Sequence, residues 1–223
     1  MKCIKYSILL LTLQGCSSNY EWGWYILSPD NVEGLTNLKF LISGITTTIY
    51  ISVISIILAM IIGLIIALPS LSKNKFLTYL NITYVEIVRA IPLLVLILWI
   101  YYGLPIMLGV SFSPFVSGII ALTISESAFQ AEIFRAGINS IKKSQWEAGS
   151  SLGLSFFRKL RLVILPQAIK NILPAIGNQF VYVLKMSSLV SIIGIGDLTR
   201  KANELVVTTY RPLEIYTFLI LEY

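Results

Sequence analysis

The sequence contains no histidine and only two cysteines, Cys3 and Cys16, in 223 residues. A metal site built from His and Cys ligands is therefore excluded, and so is a disulfide scaffold. The commonest general acid–base group is missing as well. No Gly-x-x-x-x-Gly-Lys-Ser/Thr run occurs, so the chain binds no nucleotide through a P-loop. His-Glu-x-x-His is absent too. The chain is thus not an enzyme and carries no cofactor of its own; any energy it uses comes from a partner. Charge is also scarce. Asp, Glu, Lys and Arg make up 13% of residues, about half the roughly 25% of soluble domains.

Hydrophobic residues fill that space, at 56% of the chain with a mean hydropathy of +0.81. A membrane span needs about 20 mostly apolar residues. The apolar runs are continuous rather than alternating, which excludes a barrel. In lipid, the remaining way to pair every backbone group is the helix. The expected fold is all-α and polytopic, with about five transmembrane helices in one domain, residues 38–223. The net charge of +6 fits basic cytoplasmic loops better than nucleic-acid binding.

The N-terminus reads as an export signal over residues 1–16. Lys2 and Lys5 precede a short apolar core, Ile8 to Leu13. Leu13-Gln14-Gly15-Cys16 resembles a bacterial lipobox with an unusual Gln14. Cys16 is either a lipidation site or an incidental cysteine in an unprocessed tail. Residues 17–37 are polar and aromatic, a periplasmic segment with Tyr20, Trp22, Trp24 and Tyr25 at the membrane interface. Apolar blocks follow at Leu41 to Leu68, stopped by Pro69, and at Phe76 to Leu108, punctuated by Pro92 and Pro105. Others run from Phe112 to Phe134 and from Ala168 to Ile195. The last, Leu213 to Tyr223, has eleven residues. That is roughly 16 Å of helix, an incomplete span. Lys73, Lys75 and the basic stretch up to Arg161 place the first loop and the 136–166 loop in the cytoplasm, with the N-terminus outside. Arg200, Lys201 and Arg211, in the loop expected from Asp197 to Pro212, weigh against this less heavily.

The basic loop has internal order. Ser144 and Glu147 have capping-box spacing, which predicts a helix from Gln145 to about Leu152. Gly153 suits a left-handed C-terminal cap. Ser155 then starts a second helix, about Phe156 to Ile164, ended by Pro166. The pair would form a compact knob under the membrane for a partner to grip.

Glu147, Ala148, Gly149, Gly153, Val163, Leu165 and Pro166 resemble the EAA loop of ABC importer permeases, with Gly149 for alanine and Val163 for isoleucine. Arg89-Ala90-Ile91-Pro92, Ala131-Glu132-Ile133-Phe134-Arg135-Ala136-Gly137-Ile138 and Leu184-Lys185-Met186-Ser187-Ser188-Leu189 resemble motifs of that group's polar amino-acid subfamily. The resemblance spans about Leu41 to Ile220. It implies a permease subunit in a bacterial inner membrane, importing polar amino acids of the histidine, glutamine and arginine type. It further implies separate ATPase subunits that bind ATP, a second permease subunit (identical or homologous), and a periplasmic solute-binding protein. Glu147, Ala148, Gly149, Gly153 and Pro166 would then form the ATPase-coupling segment.

Ionisable residues inside spans are costly and mark functional positions. Arg89 precedes the break expected at Ile91-Pro92. Its guanidinium either receives a substrate carboxylate or only pairs with Glu86, three residues back. Glu126 faces the bundle interior, as a substrate contact or as a packing residue. Lys185, with Ser187 and Ser188, is a candidate midplane site at a helix break; the alternative is a lysine whose amine snorkels to water. Glu132 and Arg135 form an interfacial pair. A self-contained secondary amino-acid or ion transporter remains the competing class, with Glu86, Glu126 or Lys185 as ion sites.

Overall fold

The computed structural model describes residues 20–70 and 75–223. Cys3, Cys16, the 1–16 segment and Lys73 lie outside the described residues. Among the described residues every regular element is helical: a 3-10 turn at Trp24–Leu27, then α1 (Val32–Ser70), α2 (Lys75–Ala90), α3 (Leu93–Leu98), a π-turn (Trp99–Gly103), α4 (Leu104–Leu108) and α5 (Pro114–Asn139). The second half comprises α6 (Lys143–Ser151), α7 (Phe156–Lys159), a π-turn (Leu160–Ile164), α8 (Leu165–Met186), a 3-10 turn (Ser187–Ile193), α9 (Leu198–Thr209) and α10 (Pro212–Glu222).

The first helix begins nine residues ahead of its apolar run because Asn31 caps it, accepting from the Gly34 amide at 2.5 Å. Its 39 residues extend about 58 Å, well beyond a bilayer core of about 30 Å. Pro69 lies inside the helix, near its end. Helices α2 and α3 meet at 92°. The break falls at Ile91-Pro92, as expected: Pro92 denies Ile91 the α region, and the Ile91 amide turns back to the Val88 carbonyl at 3.3 Å. Left-handed Gly109 (φ +67) closes α4. Ser113 then caps α5 through the Val116 amide, with Pro114 at the first helical position.

Val32–Pro69 and Phe156–Ile193 are each long and apolar enough to cross a membrane, and the bent α2–α4 run is too if its two arms are taken together as one span. Helix α5 carries Glu126, Glu132 and Arg135 and is not apolar overall. It does not need to be, because protein rather than lipid covers most of it: Ser117, Thr123, Glu126, Ser127 and Gln130 are all buried. Its 26 residues reach about 39 Å. Helices α1 and α5 run the same way and pack through small residues. A Cβ on Gly63 would lie 2.6 Å from the Gln130 Cβ, and one on Gly118 would lie 2.9 Å from Ile51 Cδ1. Such close approach supplies the van der Waals contact that holds helices together in lipid.

Two apolar clusters mark the ends of the bundle. Ile26, Leu27 and Leu41 pack with Ala202, Leu205 and Ile215 at one end. Ile138, Ile141, Leu160, Ile164, Ala168 and Ile172 pack at the other. The N-terminal segment and the Asp197–Pro212 stretch therefore share an end, opposite the basic loop. Three expectations need correction. The stretch after Asp197 is a helix, α9, because Asp197 accepts the Thr199 and Arg200 amides at 3.2 and 3.0 Å, and Leu198, Ala202 and Leu205 bury one face. Helix α6 starts at Lys143, with no side-chain cap. The capping box does not form; Glu147 instead meets Lys143 at 3.3 Å in an exposed pair. Nor does Pro166 end a helix. Leu165 donates five residues back, to the Leu160 carbonyl. This wider turn relieves the clash between a proline ring and the carbonyl four residues behind it. The same device precedes Pro105, where Leu104 donates to the Trp99 carbonyl.

Candidate translocation and coupling sites

Arg89 of α2, Glu126 and Phe129 of α5, and Gln179 and Tyr182 of α8 are linked by side-chain contacts. The Arg89 guanidinium lies 4.9 Å from the centre of the Phe129 ring. Phe129 in turn packs on Tyr182 of α8, ring centres 6.2 Å apart. Arg89 is exposed and forms no ion pair with Glu86, contrary to one of the two expected readings; the ring takes the pairing position. Glu126 is completely buried. Its Oε2 accepts from Gln179 Nε2 at 2.5 Å, while Oε1 has no protein partner. Gln130, one turn further along α5, is also fully buried with both amide atoms unpartnered.

Beside Arg89 a polar cleft of about 280 Å³ is lined by Asn81, Glu86, Glu132 and Arg135, among others. Glu132 and Arg135 pair at 2.5 Å, as their spacing indicates. Lys185 stands one turn beyond Tyr182 on α8, exposed, just before the α-helix tightens into the 3-10 turn. Gly194 at φ +86 ends that turn. The Ser187 and Ser188 hydroxyls donate to the Leu184 and Lys185 carbonyls, both at 2.7 Å. They satisfy their own backbone rather than joining the Arg89–Glu126 group. Sequence reasoning passed over Phe129, Gln179 and Tyr182. The signal for Gln179 is the Asn178-Gln179 pair, two amides inside an apolar block.

At the basic end, α6 hangs from the bundle by one face. Trp146 packs on the Ile138–Leu160 cluster and stacks with Phe156, ring centres 6.0 Å apart. Gln145 accepts from Gln167 at 3.2 Å. Gly149 lies under the stem of Lys159, where an added Cβ would come within 2.7 Å of Lys159 Cγ; Lys159 Nζ donates to Ser150 Oγ at 2.6 Å. The opposite face, with Glu147, Ala148, Ser151 and Leu152, is exposed. Gly153 closes the helix as its spacing predicts, at φ +69. The Leu154 amide donates to the Gly149 carbonyl at 3.1 Å and the Gly153 amide to the Ser150 carbonyl at 2.9 Å, a Schellman cap. Pro166 sits away from this knob, on the long helix that carries it.

A bundle of this kind, with buried charge between its helices and a rigidly hung helix projecting beyond one end, is that of a membrane transport component. The description "Binding-protein-dependent transport system inner membrane component" belongs to the family model that matches residues 59–221, and the chain belongs to that family. It is similar to the arginine transport system permease protein ArtQ of Bacillus subtilis (strain 168), 35% identical over 81% of this chain and 82% of the relative. It is also similar to the glutamine transport system permease protein GlnP of Escherichia coli (strain K12), 33% identical over 81% and 83% of the two chains. The crystal structure of an amino acid ABC transporter with histidines superposes with a TM-score of 0.82 at 38% identity, covering 92% of each chain. The family is one of transport components, not of enzymes, and its place is the membrane.

Proposed function

We propose that the chain is the permease subunit of an importer for polar amino acids, driven by separate ATPase subunits. It works with a second permease subunit and a periplasmic solute-binding protein. One observation carries the coupling role: α6 is fixed to the bundle through Trp146 and Gly149 while Glu147 and Ala148 face outward. A partner that grips the outer face moves α7, the π-turn and α8 with it. The relatives' names, ArtQ and GlnP among them, support the substrate class.

The basic loop then faces the cytoplasm and the Tyr20–Leu27 segment the periplasm. Arg89, over the Phe129 ring, and Glu126, three residues before Phe129 on α5, supply a cation and a carboxyl beside the Phe129–Tyr182 pair. That matches a zwitterion, its carboxylate on the guanidinium and its ammonium at the unpartnered Glu126 oxygen. Lys185 lies one turn along α8, where a side-chain amide or carboxylate of the solute can meet it. Alternating exposure of this site requires its two states to respond differently to ATP binding on the partner.

The test is uptake in proteoliposomes holding the assembled complex. Uptake that needs ATP, and that is lost when 147–153 is replaced by a flexible linker, fits the reading. Uptake that persists without ATP identifies a secondary transporter instead. In the same assay Arg89→Ala and Glu126→Ala abolish transport with assembly intact. Unchanged uptake in both removes them from the pathway.

A further inference from the structure

An apolar groove opens at the basic end of the bundle. It encloses about 720 Å³ between α1, α5 and α8, with Leu64, Phe134, Ile138, Leu165, Ile169 and Leu173 among its walls. Its mouth differs in character. There Arg161 lines both the groove and an adjoining hollow of about 330 Å³, shared with Phe157, Arg158 and Leu162. Arg158 and Arg161 are both exposed, and among the described residues no carboxylate pairs with either. The site thus has an apolar interior adjoining an uncompensated double positive charge.

We infer that this groove holds one acyl chain of an anionic phospholipid, with the lipid phosphate on Arg158 and Arg161. The charge pattern selects that occupant. A phosphate accepts from the guanidinium fork in bidentate fashion; in a zwitterionic lipid the headgroup's own cation cancels that charge, so only an anionic headgroup offsets the two arginines. Basic pockets between helices at the cytoplasmic surface take acidic headgroups in this way. The leaflet follows from the orientation in the proposed function; the binding chemistry does not depend on it. The location gives the lipid a mechanical role, because α7 and the π-turn join the α6 knob to α8. Lipid seated there packs against the segment that any pull on α6 must displace.

Native mass spectrometry of the full chain in its membrane-extracted complex tests this. The probes are phosphatidylglycerol and phosphatidylcholine with identical acyl chains. Wild type retains phosphatidylglycerol in preference. Each of Arg158→Gln and Arg161→Gln weakens that retention about fivefold, with a smaller effect on phosphatidylcholine, whose choline offsets its phosphate. Ile169→Trp, which fills the groove and leaves the arginines in place, reduces retention of both lipids. Equal retention of the two lipids by wild type overturns the inference, as does an Ile169→Trp variant that binds like wild type. A photo-crosslinker at Leu173 that captures a second copy of the chain instead of lipid also overturns it. None of these results bears on ATP-dependent uptake, which tests the transport reading separately.

Discussion

Gly153 offers a clean way to ask whether the shape of the α6 knob matters. Its φ is +69, and nothing lies within 4 Å of the place a Cβ would occupy. Substitution there meets no steric obstacle, so its whole cost is backbone strain. For Gly153→Ala that cost is about 1–2 kcal/mol. It lowers the population of the closed cap by a factor of about 5–30. Gly153→Val costs more, because a β-branched residue tolerates a positive φ poorly. Gly153→Asn costs least, since its short polar side chain supports the left-handed region. The Leu154 amide reports the cap directly through its 3.1 Å bond to the Gly149 carbonyl. Hydrogen exchange at Leu154 is expected to speed up in the order Asn, Ala, Val, and ATP-driven uptake to fall in the same order. Wild-type exchange at Leu154 in Gly153→Val would refute the strain argument. Full uptake in a variant whose cap is lost would show that knob geometry plays no part in coupling.

Gly63→Ala is expected to destabilise the α1–α5 contact by about 1–3 kcal/mol, because the added Cβ meets the Ala131 amide nitrogen and the Ser127 carbonyl oxygen, both at 2.9 Å; an unchanged Tm in detergent would show the approach to be looser. Burial pushes the Asp197 carboxyl up to about 6 from its ordinary 3.8. Its proton is thus held more tightly in the folded chain. The stabilisation is full below about pH 4 and is lost as pH rises through about 6, about 3 kcal/mol in all. Asp197→Asn keeps a capping oxygen and should flatten Tm between pH 4 and 7; an unaltered slope would assign the effect to another group. Glu214, fully buried, accepts from the Tyr20 hydroxyl and the Gly23 amide, so Glu214→Ala should cost about 2 kcal/mol. It should also free the Tyr20–Leu27 segment to proteases, and resistance equal to wild type would contradict that.

Much of the architecture was legible because proline and glycine act locally. Pro92 bends the chain where it should, and Gly153 closes α6 through nothing more distant than Gly149 and Ser150. Where reading failed, a competing partner or a local adjustment of the helix had decided the outcome. Glu147 left the capping box for Lys143, and Arg89 left Glu86 for a ring 40 residues away in the chain. Pro166 looked like a stop because a proline violates the α-ladder; the chain widens one turn and continues. Helix α9 was readable from Asp197 and the spacing of Leu198, Ala202 and Leu205, but it is too polar to register among apolar blocks. The Arg89–Glu126 group was half visible. Its charges stand out in an apolar sequence, whereas Phe129, Gln179 and Tyr182 become notable only once three helices bring them together.

The π-turn at Leu160–Ile164 has an effect that reaches past its own five residues. It holds one residue more than an α-turn would. Everything ahead of it is consequently out of phase, by about 100°, with an unbroken helix counted back from α8. Arg158 and the stalk of the knob take their compass bearing from that supernumerary residue. Removing a single amino acid between 160 and 164 would leave each helix intact and swing its cytoplasmic attachments round to a different side of the molecule.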